Sequence, residues 1–533
     1  MSHPGRVAKR AHFILKYAGF AGLPFGPALY IIKLNLLLNG RGYDTMTTLI
    51  LKPQRQHEIS PYLYMQFMEP LGVCDTSVDA AWNFRTDDWH EAVFEKTREL
   101  APTMIRWGGC FASYYHWEEG VGPQKNRIPM ENICWGGMYC NQVGTHEVID
   151  FCRRVGAEPL LVVNMETEGY PHWRTDKFGT SRVGTDAEAA RWVSYCNAPG
   201  DSLRRAHGKE DPYGVRYWQL GNETSYSNGG ALGFTSDQCR EVTGRFARKM
   251  RAVDPDIRLI AWGDETRFWK DPSVRDDTWC RKMSTLDEIE LIAFHHHFDS
   301  GLPECPFPGN RYRVDFENTW RHFMHAHKSL EEKLLQMRAD RGGKRLAMTE
   351  GHFSFKGKNR GNTLSTWAAG VAYARCHNVL HRNSDVLEIA TLADFCGNIW
   401  SSNALMIPTP IHSGECYLMP VGAVMALFRR NQGRYAVELD CGGLDAVASR
   451  TGDTFYIHAV NDSMTTPREL KPEIPGGKIQ RMRMEYIAAD PAREIGLVEP
   501  HCFDPQILET EGDTVTLPPA AVAAIRVEGA TDI

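Results

Sequence analysis

The 533-residue chain is short of the features that mark nucleic-acid, zinc and membrane proteins. Lys and Arg number 60 against 66 Asp and Glu, a net charge of −6, so there is no basic excess to meet a nucleic acid. None of the 14 cysteines forms a C-x-x-C pair, which excludes the spacing of zinc ribbons and thioredoxin-type sites. Their scatter fits thiols used as small buried apolar groups in a reducing, cytoplasmic setting. There is no H-E-x-x-H, and Gly136-Gly137 and Gly229-Gly230 match no phosphate-binding loop. Repeats and low-complexity segments are absent. The chain also lacks a long unbroken apolar run near its start. Tyr17–Ile32 is 16 residues long and interrupted by Pro24 and Pro27, below the roughly 20 residues a spanning helix needs. It follows Arg6, Lys9 and Arg10, as in an export signal, but no small-x-small cleavage site comes after it. Residues 1–45 therefore read first as an extension of uncertain structure. An export signal and a membrane-associated segment are the alternatives.

What is present is a large soluble core: 42% hydrophobic residues, 11% aromatic, 14 of them Trp. After Met46, short apolar strands alternate with longer helical stretches. The strands are Tyr62–Glu69, Met104–Gly109, Pro159–Asn164, Val215–Glu223, Arg258–Trp262, Leu291–His295, Arg345–Glu350 and Asn398–Ser401. Between them lie helices over Asp87–Leu100, Thr145–Val155 (with Thr145 as N-cap), Ala187–Tyr195, Ser236–Val253, Phe316–Arg338 and Thr363–His381. Eight such units predict a (β/α)8 barrel, whose chemistry sits at the C-terminal strand ends. From about Tyr417 the texture becomes short strands separated by Gly, Pro, Asp and Asn, the pattern of a β-sandwich, with 464–478 as an exposed loop. Pro53 ends a short run, Thr47–Leu51. The expected divisions are 46–56 as a strand joining the sandwich, 57–415 as the barrel and 416–533 as the sandwich.

Strands four and seven end in glutamates at matching positions: Glu223, after Gly221 and Asn222, and Glu350, before Gly351. A buried carboxylate is costly unless it is paired or used. Two facing carboxylates are the equipment for acid/base and nucleophilic chemistry on a glycosidic bond, and their separation decides between retention and inversion. Each alone could be a surface or ion-paired residue; matching positions on strands four and seven favour catalysis. His295-His296-His297 is the conspicuous cluster. His295 and His297 share one strand face and His296 takes the other, so the pair could bind a metal with a third ligand from afar, but it reads better as pocket lining. Glu69 and Arg106, at strand ends, are candidates for holding sugar hydroxyls or for a structural ion pair. Asp264 and Glu265 carry the same ambiguity. Trp135, in an aromatic loop after strand two, is a candidate sugar contact.

Several stretches together resemble glycoside hydrolase family 51, the α-L-arabinofuranosidases, from about Thr47 to Val527. They are Ile59-Ser60-Pro61-Tyr62-Leu63-Tyr64 leading to Glu69, Ile105 to Phe111, His116 to Pro123, Asn141 to Thr145, Gly156 to Pro159, Tyr217 to Glu223 and Leu517-Pro518-Pro519. The resemblance implies a barrel followed by a β-sandwich that the short N-terminal strand joins. It also implies a retaining double displacement with Glu350 as nucleophile and Glu223 as general acid/base. Glu69, Arg106, Asn222 and His295 would then meet the −1 sugar; no cofactor or metal is needed, and an oligomer is favoured. The chain departs from the family around that sugar: Cys110 stands where an Asn is common, Thr349-Glu350-Gly351 replaces Asp-Glu-Trp, and His297 takes the place of a Tyr. These changes leave another furanoside, or a pyranoside as in sister families, as alternatives to arabinofuranoside. A carbohydrate-binding protein that has lost catalysis is the reading from another class. A carbohydrate is the expected partner, with no nucleic acid and no stable membrane span.

Overall fold

The computed structural model describes residues 46–354 and 361–531; the extension, signal and membrane readings of 1–45 fall outside the described residues. Parallel strands close a barrel in chain order: Met65–Met68, Met104–Trp107, Glu158–Val163, Tyr217–Leu220, Arg258–Trp262, Leu291–Phe298 and Arg345–Phe353. Each pairs with the next in parallel. The strands are buried on both faces, which is why they read as continuous apolar runs rather than alternating ones.

The eighth strand corrects the sequence reading. It is not Asn398–Ser401 but two pieces, Leu387–Ala390, which pairs with strand seven, and Asp394–Gly397, which closes the ring onto strand one through Asp394 and Phe67. The amides of Asn398, Ile399 and Trp400 are taken by the Asp75 carboxylate at 2.9, 3.3 and 2.8 Å, so they are not free for a ladder. Strand one is also shorter than expected, because Pro61–Tyr64 forms a 3₁₀ turn capped by Ser60.

The helices keep their expected places with shifted ends. The first is Glu91–Leu100. Thr145–Val155 is capped by Gly144, whose N–H donates to Glu147, while Thr145 is the first helical residue and accepts from Trp192 Nε1 at 3.0 Å. Ser236–Arg251 begins with a reciprocal Thr235–Gln238 capping box. The helix expected over Phe316–Arg338 is two, Phe316–His325 and His327–Asp340.

The C-terminal strands form an antiparallel sheet that also takes in Met46–Glu58, paired with Tyr435–Asp440. Pro53 does not end that strand: the register shifts between Leu51 and Arg55, and the irregularity accommodates the missing N–H. Within 464–478, Arg468–Glu473 is a strand paired with Val515–Leu517 rather than loop. The sheet folds over its own core, where Leu49 and Leu51 join Leu470, Val515, Met482 and Ile525. The barrel carries a separate and larger apolar cluster. Among the described residues no helix is long and apolar enough to cross a membrane.

Candidate active site

Strand two carries Arg106 one residue before its end, with its side chain fully buried. Its guanidinium holds three barrel strands at once. Nε donates to Gln219 at 2.9 Å, Nη2 to Asn222 Oδ1 at 2.7 Å, and Nη1 to Glu350 Oε1 at 2.8 Å. Arg suits such a node because its planar fork presents several donors in fixed directions.

Strand four ends at Leu220 and turns on Gly221 (φ 73°), which delivers Asn222 and then Glu223. Glu223 itself has φ 51°, an uncommon conformation for a residue with a side chain and of the kind that gathers at functional sites. Its Oε1 lies 2.9 Å from His295 Nδ1. The Cys110 thiol donates to Oε2 at 3.8 Å and accepts from Asn222 Nδ2 at 3.9 Å. The Tyr170 hydroxyl donates to the Glu223 carbonyl at 3.2 Å.

Strand seven carries a bulge. Phe294 faces Met348, but His295 faces Glu350, so Thr349 is the extra residue. The bulge places His295 and Glu350 side by side, with His295 Nδ1 3.6 Å from Glu350 Oε2. Thr349 Oγ1 meets the other ring nitrogen, Nε2, at 3.0 Å. Oxygens of Glu223 and Glu350 and a nitrogen of His295 all lie within 4.8 Å of one another.

The electrostatics separate the two glutamates. Burial pushes Glu223 up to about 7, with Asp264 adding to the rise while Arg267 and Arg106 oppose it. Glu350 is not among the main causes; burial dominates. Glu350 is also raised by burial, against the pull of His295 and the directly bonded Arg106, with Glu223 adding to the rise. Only Glu350 has a guanidinium bonded to it, so of the two it is the better anion. Burial drives His295 down to about 3, leaving a neutral imidazole. With the Thr349 hydroxyl donating to Nε2, that ring offers Nδ1–H to Glu223.

Glu69 is a wall residue. Its Oε1 accepts from Phe111 N–H and from Trp135 Nε1, each at 2.8 Å. Gly109 (φ 98°) makes this fit possible, because a Cβ there would collide with the Glu69 carboxylate. Burial, chiefly, and the Glu350 charge raise Glu69 well above the usual carboxylate range. Trp135 meets Trp400 edge-on at 5.6 Å. Trp400 was assigned by its sequence to a strand; it sits instead in the loop held by Asp75.

The histidine run divides as strand alternation requires. His296 turns outward to Ser329 Oγ at 3.0 Å. His297 packs on His352, ring centroids 4.6 Å apart, so it does not converge with His295 as a metal pair would. The spacing a metal could use is that of Glu223, His295 and Glu350, where Arg106 already supplies positive charge to one carboxylate. Asp264 is an ion-pair residue. Against its own burial, Lys333 and Arg267 hold it below the usual range, and it accepts from the Tyr226 hydroxyl at 2.5 Å. Glu265 lies 4.0 Å from the same Lys333.

The structure thus brings Glu223, Glu350, Arg106, Asn222, Cys110, His295, Glu69 and Trp135 to one mouth, and sets His297 beside them against His352. Gln219, Thr349, Tyr170 and Trp400 were not singled out by sequence. Gln219 offered a signal, since an amide in the middle of a buried apolar strand calls for a partner.

A closed parallel barrel that brings two glutamates together at the mouth of strands four and seven is an arrangement suited to chemistry on a glycosidic bond. Residues 96–300 match the family described as Alpha-L-arabinofuranosidase 1 domain, a stretch that contains Arg106 to His297 and leaves out Glu69 and Glu350. The chain is similar to Alpha-L-arabinofuranosidase C of Emericella nidulans, 34% identical over 220 residues, 40% of each chain. It is similar to an Intracellular exo-alpha-(1->5)-L-arabinofuranosidase of Streptomyces lividans, 31% identical over 253 residues, 45% of this chain and 35% of the other. The chain spans about two fifths of the length of the curated relatives it matches. The α-L-arabinofuranosidase of Thermotoga maritima, solved with arabinose, superposes with a TM-score of 0.72 at 22% identity, over 90% of this chain and all of that one. The chain thus shares the fold of solved family 51 arabinofuranosidases and is similar over about two fifths of its length to curated arabinofuranosidases.

Proposed function

We propose that the protein is a retaining, exo-acting α-L-arabinofuranosidase working by double displacement. The observation that carries this reading is the approach of the two carboxylates, with oxygens of Glu223 and Glu350 within 4.8 Å while only Glu350 is bonded to Arg106. That spacing suits retention, in which no water needs room between the groups in the first step; inversion uses about 6.5–9.5 Å. Glu350 attacks the anomeric carbon as the glycosidic bond breaks, and Glu223 gives its proton to the departing oxygen. Glu223 then takes a proton from water, which attacks the same carbon and frees Glu350. The Glu223 carboxyl, held up to about 7 by burial, is protonated when the first step needs it. His295, neutral, steadies Glu223 through a hydrogen bond that does not compete for its proton. Asn222 and Glu69 are assigned to sugar hydroxyls and Trp135 to the sugar's apolar face. The chemistry uses protein groups alone. Fourteen free thiols support a cytoplasmic setting.

Cys110 supports a second reading of the substrate. A thiol bonded to both Asn222 and Glu223 changes the wall of the −1 site, so a related furanoside such as galactofuranoside competes with arabinofuranoside. A panel of aryl L-arabinofuranoside, D-galactofuranoside, D-xyloside and D-glucoside tests both. Turnover of the arabinofuranoside with retained configuration is expected, and turnover of a pyranoside alone overturns the reading. A furanoside epoxide should label Glu350; absence of labelling and of turnover on the whole panel leaves a carbohydrate-binding protein.

A further inference from the structure

Beneath the turn that presents Glu223 lies a carboxyl that the mechanism does not use. Glu168 follows strand three and is fully buried. Neither of its oxygens reaches a donor in full hydrogen-bond geometry; the Asn222 amide and the Ser113 hydroxyl are the donors they face. Its backbone is unusual as well. Glu166, Thr167 and Glu168 have φ of 55°, 55° and 54°, three successive side-chain-bearing residues in the left-handed region. Such conformations persist only where the surroundings over-determine them.

The surroundings do so here. Asn164 Oδ1 accepts from Thr167 N–H at 3.0 Å, the Glu168 N–H donates to Met165 O at 3.0 Å, and the Glu168 carbonyl accepts from Phe234 N–H at 3.2 Å. The clamped side chain is driven against Gly221. A Cβ on that glycine would sit 2.5 Å from Glu168 Oε2, and Gly221 itself has φ 73°. Gly221 and Asn222 are the two residues that turn strand four into Glu223. A buried acid with no counter-ion and no well-made hydrogen bond does little for stability. What it does have is volume and a fixed place under the turn.

We propose that Glu168 is a positioning residue: held by its strained loop, it sets the path of Gly221 and Asn222 and so the aim of the Glu223 carboxyl at the departing oxygen. The proposal rests on the assignment of Glu223 as general acid. The side chain acts by its shape and place; burial raises its carboxyl well above the usual range. An amide of the same shape should therefore serve, and a short side chain should not.

The test compares Glu168→Gln with Glu168→Ala on two arabinofuranosides. One carries a 4-methoxyphenyl leaving group, which needs protonation, and the other a 2,4-dinitrophenyl group, which does not. For Glu168→Ala, kcat/KM should fall about 30-fold on the first, part of the 10²–10⁴ that general acid catalysis supplies, and less than about 3-fold on the second. Glu168→Gln should stay within about 3-fold of the parent on both. An equal loss on both substrates, or no loss on either, overturns the proposal, as does a Glu168→Gln enzyme as impaired as Glu168→Ala. Should Glu168→Ala fail to fold, Glu168→Asp, which retracts the carboxyl by one methylene, carries the same comparison. Crystal structures of the variants test the inference without turnover. The 2.9 Å contact of Glu223 with His295 should be lost in Glu168→Ala and kept in Glu168→Gln; its survival in Glu168→Ala sinks the proposal. If no arabinofuranoside is turned over by the parent enzyme, the functional reading fails, and the crystal comparison still decides the role of Glu168.

Discussion

Barrel strands four and seven each deliver a glutamate to the same mouth, and the partners that wait there differ. Glu350 meets the Arg106 guanidinium at 2.8 Å; Glu223 meets a neutral imidazole and a thiol. Burial raises both carboxyls, so burial alone would make them alike. The difference comes from one cation placed beside one of them, which favours the anion there and leaves the other as the acid. Two identical side chains acquire different charge preferences from the groups bonded directly to them.

The comparison can be broken at either end. Glu350→Ala should cost the most, about 10⁴-fold or more in kcat on an aryl arabinofuranoside, the scale seen when a nucleophile is removed. Glu223→Ala should cost about 10²–10⁴-fold, and added azide should restore part of the rate by attacking the glycosyl-enzyme without base assistance. Azide rescue of the Glu350 variant in place of the Glu223 variant, with retention, would reverse the two assignments.

Arg106→Met removes the asymmetry itself. Breaking a buried ion pair costs about 3–5 kcal/mol, so its melting temperature should fall in a thermal scan. The sign for activity is fixed: without the guanidinium the Glu350 carboxyl holds its proton more tightly, so the acid limb of kcat/KM moves to higher pH. An unmoved limb would mean that Arg106 does not govern Glu350. In the parent enzyme the alkaline limb should report Glu223. As pH rises through about 7 it loses the proton it must donate, and kcat/KM should fall about tenfold per pH unit beyond that point. The smallest effect is expected at His297, which packs on His352 rather than on either glutamate. Its replacement by Ala should change turnover of a simple aryl arabinofuranoside less than about 3-fold, below the effect of one lost methylene-scale contact; a larger loss would bring His297 into the site.

The sequence made much of the mouth legible for a local reason. An apolar strand that delivers a charged residue at its end announces its face, its direction and its cost, as strands two, four and seven do through Arg106, Glu223 and Glu350. His295 and His296 were separable by alternation alone. What stayed hidden depends on partners distant in the chain. The amides of residues 398–400 read as a strand because nothing nearby shows that Asp75, more than 300 residues earlier, claims them. The bulge at Thr349 leaves no mark in the sequence, yet it sets which residue of strand seven faces His295. Glu168 has no sequence signal because its loop is polar, while the groups against it, Gly221 and Phe234, are brought there only by the fold. Pro53 misled in the other direction: a proline ends a regular strand but is tolerated at an irregularity.

The pairing of Met46–Glu58 with Tyr435–Asp440 has a consequence for how the protein is made. The ribosome releases this first strand long before its neighbour exists. At roughly 5–20 residues per second the wait between them is about 20–80 s. Through that interval Leu49 and Leu51, fully buried in the finished molecule, have no core to enter, and the strand's edge is open to any other nascent chain. The barrel between them can assemble as it emerges, whereas the sheet waits for Tyr435–Asp440 and the strands that follow it. A chain cut before Tyr435 would keep Met46–Glu58 without its partner, an open edge for other chains to join.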